Sequence, residues 1–119
     1  LAFLAKDDGG IQQVFTVSPL GGNPVQLTFH EQNVEGSVRW HPGGKHLCYV
    51  WNGSIVMYKT GSEPFEERFQ VLTQTTHPSP SNLVWSHDGA TLAFNRLLSV
   101  EGKKENSKQI FIIKPKVID

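Results

Sequence analysis

Apolar and polar positions alternate in short runs along this chain, each run closed by a turn. No segment keeps a 3.6-residue period for the ~10 residues that a helix needs. The pattern therefore predicts strands joined by tight turns. Residues 1–5 form a compact apolar run closed by Asp7-Asp8-Gly9-Gly10, and residues 13–17 follow, rich in β-branched and aromatic side chains. The turn cluster of residues 19–24 leads to a strand over 25–29, and a polar crossover from His30 to Gly36 follows it. The next unit predicts strands at 38–41, 46–51, 54–59 and 69–74. Its Asn52-Gly53, set between two apolar runs, calls for a type I′ turn with positive φ at both residues. A third unit starts at Leu83, continues over 91–97, passes a charged connection from Ser99 to Ser107 and ends in a strand over 108–113.

The units repeat. Trp40 and Trp85 stand 45 residues apart, as do Gly44 and Gly89, Leu47 and Leu92, and the pairs Leu27-Thr28 and Leu72-Thr73. A period in the forties, made of short strands with a glycine turn in each copy, is the mark of a β-propeller or a related array. The expected fold class is all-β: antiparallel four-stranded blades, about ten strands, or two and a half blades of a larger propeller. The expected division is a partial blade over 1–36, a full blade over 37–81 and a partial blade over 82–119. Such sheets must stack to bury both faces, and two and a half blades cannot close a ring. The expectation is an excerpt of a longer chain, or several copies that associate through exposed sheet edges.

Composition narrows the function classes. The chain has 119 residues, with 11 basic and 11 acidic side chains and no net charge when histidine is neutral. Nucleic-acid binding requires a basic face, so none is expected. No stretch reaches the ~20 apolar residues that a membrane helix needs, and the opening Leu1-Ala2-Phe3-Leu4 has no basic leader pattern. The single cysteine, Cys48, falls in the slot of Ala93 and Ala2 and is read as a small core residue. The compartment stays open between exported or periplasmic and cytoplasmic.

The repeat resembles that of the TolB-type (WD40-like) propellers, with its Trp-Ser-Pro-Asp-Gly-Lys turn followed by Leu-Ala-Phe. It stands here as Trp40-His41-Pro42-Gly43-Gly44-Lys45 and Trp85-Ser86-His87-Asp88-Gly89-Ala90. Gln13-Val14-Phe15 and Gln109-Ile110-Phe111 look like the family's Gln-Ile-Tyr strand, and the run from Gly21 to Thr28 looks like its closing strand. The runs Ala2–Gly10 and Ser18–Pro24, with Trp40-His41-Pro42, are similar to the C-terminal part of the YidR-like bacterial propellers. That resemblance implies a parent chain several times longer and carries no activity.

The candidate chemistry is sparse. His41, His87, His46 and His30 read as turn, pre-strand and crossover residues, and Ser86-His87-Asp88 cannot form a triad, whose members come from distant segments. Asp7-Asp8-Gly9-Gly10 lacks the spacing of a calcium loop. Trp40 and Trp85 are locked in the repeat and read as core, whereas Trp51 is freer to meet a ligand. The segment Gln74-Thr75-Thr76-His77-Pro78-Ser79-Pro80 is similar to the Gln-x-x-His-Pro-His-Pro element of oligogalacturonate lyases. This implies Gln74 and His77 as ligands of a divalent metal such as Mn, with Ser79 in place of the next histidine. The loop Glu63-Pro64-Phe65-Glu66-Glu67-Arg68 is acidic with an odd aromatic, a hint of a partner site.

The first functional reading is a non-catalytic scaffold, without catalytic residues or cofactor, binding a protein or a small-molecule or carbohydrate ligand through its loops. The alternatives are a metal-dependent lyase like the oligogalacturonate enzymes and the regulatory propeller of a peptidase.

Overall fold

In the computed structural model, residues 1–61, 63–75, 79–99 and 106–115 are described. The described strands are β1 (Ala2–Lys6), β2 (Gln12–Thr16), β3 (Val25–Gln26), β4 (Val34–Trp40), β5 (His46–Trp51), β6 (Ser54–Lys59), β7 (Phe69–Val71), β8 (Ser81–Trp85), β9 (Leu92–Ser99) and β10 (Asn106–Ile113). One helical turn, α1 (Phe65–Arg68), precedes β7. All pairings are antiparallel, in a first sheet β1-β2-β3, a middle sheet β4-β5-β6-β7 and a third sheet β10-β9-β8. The chain is thus all-β apart from one short turn of helix, and the described sheets do not close on themselves.

Alternation of side chains explains how the sheets meet. Along β5 and β6, Leu47, Tyr49, Val56 and Tyr58 pack with Val14 and Leu4 of the first sheet. Their sequence neighbours Cys48, Val50 and Ile55 pack instead with Leu83, Leu92 and Phe94 of the third. Successive side chains point to opposite faces, so a strand covered on both sides must be apolar throughout. That is why His-Leu-Cys-Tyr-Val is buried along its whole length, each large side chain contributing about 1.5–3 kcal/mol. Cys48 behaves as the small core residue its slot predicted, and burial pushes its thiol up to about 12.

The repeat also recurs in hydrogen bonds. Leu27 N–H donates to the Val14 carbonyl at 2.8 Å, and Leu72 N–H to that of Ile55 at 2.8 Å. Thr28 Oγ1 accepts from Val14 N–H at 2.9 Å, and Thr73 Oγ1 from Ile55 N–H at 2.9 Å. Each Leu-Thr pair therefore fastens the same edge of its sheet. The Asn52-Gly53 turn has φ of 52° and 73°, as a type I′ hairpin requires. Asp7 caps its turn by accepting from the N–H groups of Gly9 and Ile11 at 2.9 and 3.0 Å, which holds its carboxyl below the usual range.

Three sequence expectations are corrected. The crossover after His30 is shorter than expected, because β4 begins at Val34, whose side chain is fully buried. Residues 65–68 form a helical turn rather than open loop, pinned where Arg68 donates to the Tyr58 hydroxyl at 2.7 Å and to the Gly61 carbonyl at 2.9 Å. Trp40 is not core: it is 36% exposed. Trp85, its repeat partner, lies under the His41 ring at 4.8 Å. Among the described residues no ring packs on Trp40 as His41 packs on Trp85.

His41 ties the middle and third sheets together. Its Nδ1 accepts from Gly43 N–H at 3.0 Å, which leaves Nε2 to donate to the Gly89 carbonyl at 3.0 Å. The two repeat glycines consequently differ. Gly44 and Gly89 share a positive φ, but a Cβ on Gly44 would meet open space and one on Gly89 would run into the His41 ring. Gly44→Ala is expected to cost about 1–2 kcal/mol from backbone strain, and Gly89→Ala about 1 kcal/mol more because the His41 bond is also lost. Paired urea melts check this order; equal costs would remove His41 from that role.

Candidate aromatic cleft

Gln13, buried in β2, organises the site. Its Oε1 accepts from Thr28 Oγ1 at 2.7 Å and from His30 N–H at 3.2 Å, while its Nε2 donates to the His30 carbonyl at 2.7 Å. Both backbone groups of His30 are thereby fixed, and its ring is driven under the edge of the middle sheet. There it stacks on Trp51 with centroids 4.4 Å apart and meets Phe65 and Phe69 edge-on, each at 4.9 Å. Phe65 and Phe69 stack on each other at 4.8 Å, and Phe29 approaches Phe65 edge-on at 5.7 Å. Aromatic rings from the crossover, from the β5 end and from α1–β7 so converge on one cleft, lined by Phe29, His30, Glu31, Trp51, Phe65, Glu66 and Phe69.

The centre of this cluster is polar and closed. His30 is 5% exposed, and its Nε2 lies 2.6 Å from the Tyr49 hydroxyl. Burial lowers the His30 pKa to about 4 and raises that of Tyr49, so near neutrality a phenol O–H donates to a neutral imidazole. The pair is a structural hydrogen bond: the phenol is buried and is not activated as a nucleophile. Trp51 Nε1 is buried without a hydrogen-bond partner among the described residues. Glu31 and Glu66, both exposed, are the charged residues that line the cleft.

Gln74, one of the two predicted metal ligands, does not line this cleft. Gln74 is exposed beyond β7, between Thr73, which bonds Ile55, and Thr75, whose hydroxyl lies 3.3 Å from that of Ser54. His77 lies outside the described residues. Among the described residues no group of three or more His, Cys, Asp or Glu side chains could hold a metal ion, and no helix is long and apolar enough to cross a membrane. His30 and Gln13 were missed as site residues, since one reads as a loop residue and the other as part of a repeat strand. Trp51 and the loop bearing Phe65 and Glu66 were the two legible signals, and the structure joins them.

Over 94 residues the chain is 35% identical to the uncharacterized protein YidR of Escherichia coli strain K12, a match covering 79% of this chain and 22% of that protein. The chain is similar to YidR. It spans about a fifth of the length of that relative. No family model matches the chain. Similarity to YidR supplies a relation between sequences and no activity.

Proposed function

We propose that this chain is a non-catalytic binding scaffold, built of TolB-like propeller blades, that takes a ligand in the aromatic cleft. The observation that carries this reading is the convergence of Trp51, Phe65 and Phe69 on a backbone-locked His30, with Phe29 edge-on to Phe65. Preformed aromatic walls held by rigid strands, with a few polar groups at the rim, are the usual make-up of a ligand site. The 45-residue repeat and the stacking of sheets through both faces of β5 and β6 support the propeller part. The test is an amide and indole NMR screen with amines, carboxylates and sugars. Saturable shifts should cluster on residues 29–31, Trp51 and residues 65–69. If every class leaves those signals unmoved, the cleft is only a packing feature.

The ends of the stack suggest the partner. The register pairs Cys48 with Met57 and Val50 with Ile55 in the middle sheet, and Ala93 with Ile112 and Asn95 with Ile110 in the third. The middle sheet buries that face against the third, yet Ile110 and Ile112 are 78% and 63% exposed, as is Val84 at 57%. At the other end, Phe3 and Phe15 stack at 6.0 Å on the side of the first sheet away from Leu4 and Val14. In this proposal a second copy lays its Phe3–Phe15 face on Ile110 and Ile112, head to tail. Phe3→Lys and Ile110→Lys chains should each sediment as monomers, and their mixture, which keeps one intact pair of faces, as a dimer. A wild-type chain monomeric at high concentration would exclude it.

A further inference from the structure

The cleft's charge and size say more than that it binds. Among the described residues its lining carries two carboxylates, Glu31 and Glu66, and no lysine or arginine. The neighbouring Arg68 is turned away, its guanidinium held by the Tyr58 hydroxyl and the Gly61 carbonyl and resting over the Tyr58 ring at 5.6 Å. The His30 imidazole at the back is neutral near pH 7 and places no positive charge against a ligand. An anion would therefore meet two like charges, with no cationic side chain among the described lining residues to offset them. The cavity is about 210 Å³, below the roughly 300–1,000 Å³ of sites for drug-sized ligands, so a compact headgroup fits it better than an oligosaccharide.

Aromatic ring faces attract cations, most effectively where the cation sheds little water on entry. A primary ammonium is strongly hydrated and gives up more on leaving water. A methylated ammonium spreads its charge over an apolar surface, which suits a wall of phenylalanine and indole rings, while carboxylates at the rim supply long-range attraction. We propose that the cleft binds a small quaternary ammonium cation, its charge held by the aromatic rings around Trp51 and Phe65 and by Glu31 and Glu66. This inference rests on the binding reading above and adds the chemical class of the ligand.

The experiment titrates the full chain with choline chloride, with its neutral isostere 3,3-dimethylbutan-1-ol and with maltose, following the Trp51 indole and the amides of residues 65–69 by NMR. Choline should shift these signals saturably, and the isostere should bind about tenfold more weakly or worse. The double variant Glu31→Gln/Glu66→Gln, which changes exposed residues and so keeps the fold, should bring choline down towards the isostere. Equal binding of choline and isostere, or a preference for maltose, overturns the cation while leaving a ligand site in place. Absence of any shift with all three overturns the cation, and the binding reading falls with it if the carboxylates of the wider screen also leave these signals unmoved.

Discussion

A Tyr49→Ala chain is expected to lose about 3–5 kcal/mol of stability, the usual cost of removing a buried aromatic ring. Small domains hold only about 5–15 kcal/mol in all, so the variant should be largely unfolded on modest heating. Tyr49 is fully buried in the core between the first and middle sheets, and it partners His30 as well. Its removal leaves a cavity and an imidazole nitrogen that water reaches poorly. Tyr49→Phe keeps the ring and loses only the hydroxyl, so it should cost about 1–2 kcal/mol. Urea melts followed by tryptophan fluorescence separate the two. A Tyr49→Ala chain within 1 kcal/mol of wild type, on the order of an ordinary surface change, would mean that the first and middle sheets do not pack as described.

Acid should weaken the fold in a window set by His30. Burial depresses its folded pKa to about 4 from 6.5, so between these values the unfolded chain binds the proton and the folded chain does not. Stability is thus fully present above pH ~6.5, falls as pH drops through the window, and loses nothing further from this group below pH ~4. Glu31 and Glu66 at the cleft mouth favour the charged imidazole, but both are exposed, and burial outweighs them. With allowance for solvent at that mouth, the loss is about 2 kcal/mol. Asp7 and Asp88 are held below the usual carboxylate range by hydrogen bonds and act only in stronger acid. The check is ΔG of unfolding measured over about three pH units around the His30 transition, from pH ~7.5 down to ~4.5. His30→Gln should flatten the slope, and an equal slope in that variant would assign it to other groups. Protonation would also turn the Nε2 acceptor facing Tyr49 into a donor, loosening the ring cluster that forms the cleft.

Strand positions were legible because a half-buried or doubly covered strand needs a side-chain pattern with period two, and that pattern is written locally. The Asn52-Gly53 turn was legible because two successive positive φ values exclude most residues. The 45-residue spacing placed Thr28 and Thr73 in equivalent slots, and their hydroxyls do the same work. Trp40 misled, since equal slots in a repeat do not imply equal burial. Its exposure depends on whether a neighbouring sheet supplies a His41-like cover, which lies beyond the local motif.

The cleft was half legible. Trp51 and the loop of Phe65 and Glu66 stood outside the repeat and drew attention, but nothing local joined them to His30 or to Gln13. Gln13 and His30 are 17 residues apart and meet only because β2 and the crossover fold onto each other. By itself the sequence determined the all-β class, the turns and the repeat, since backbone preference and side-chain alternation act over a few residues. Tertiary structure decided which tryptophan is covered, that His30 is buried and neutral, and that four aromatic side chains surround it beside two carboxylates. Burial, desolvation and ring contact depend on what comes close in space from remote parts of the chain.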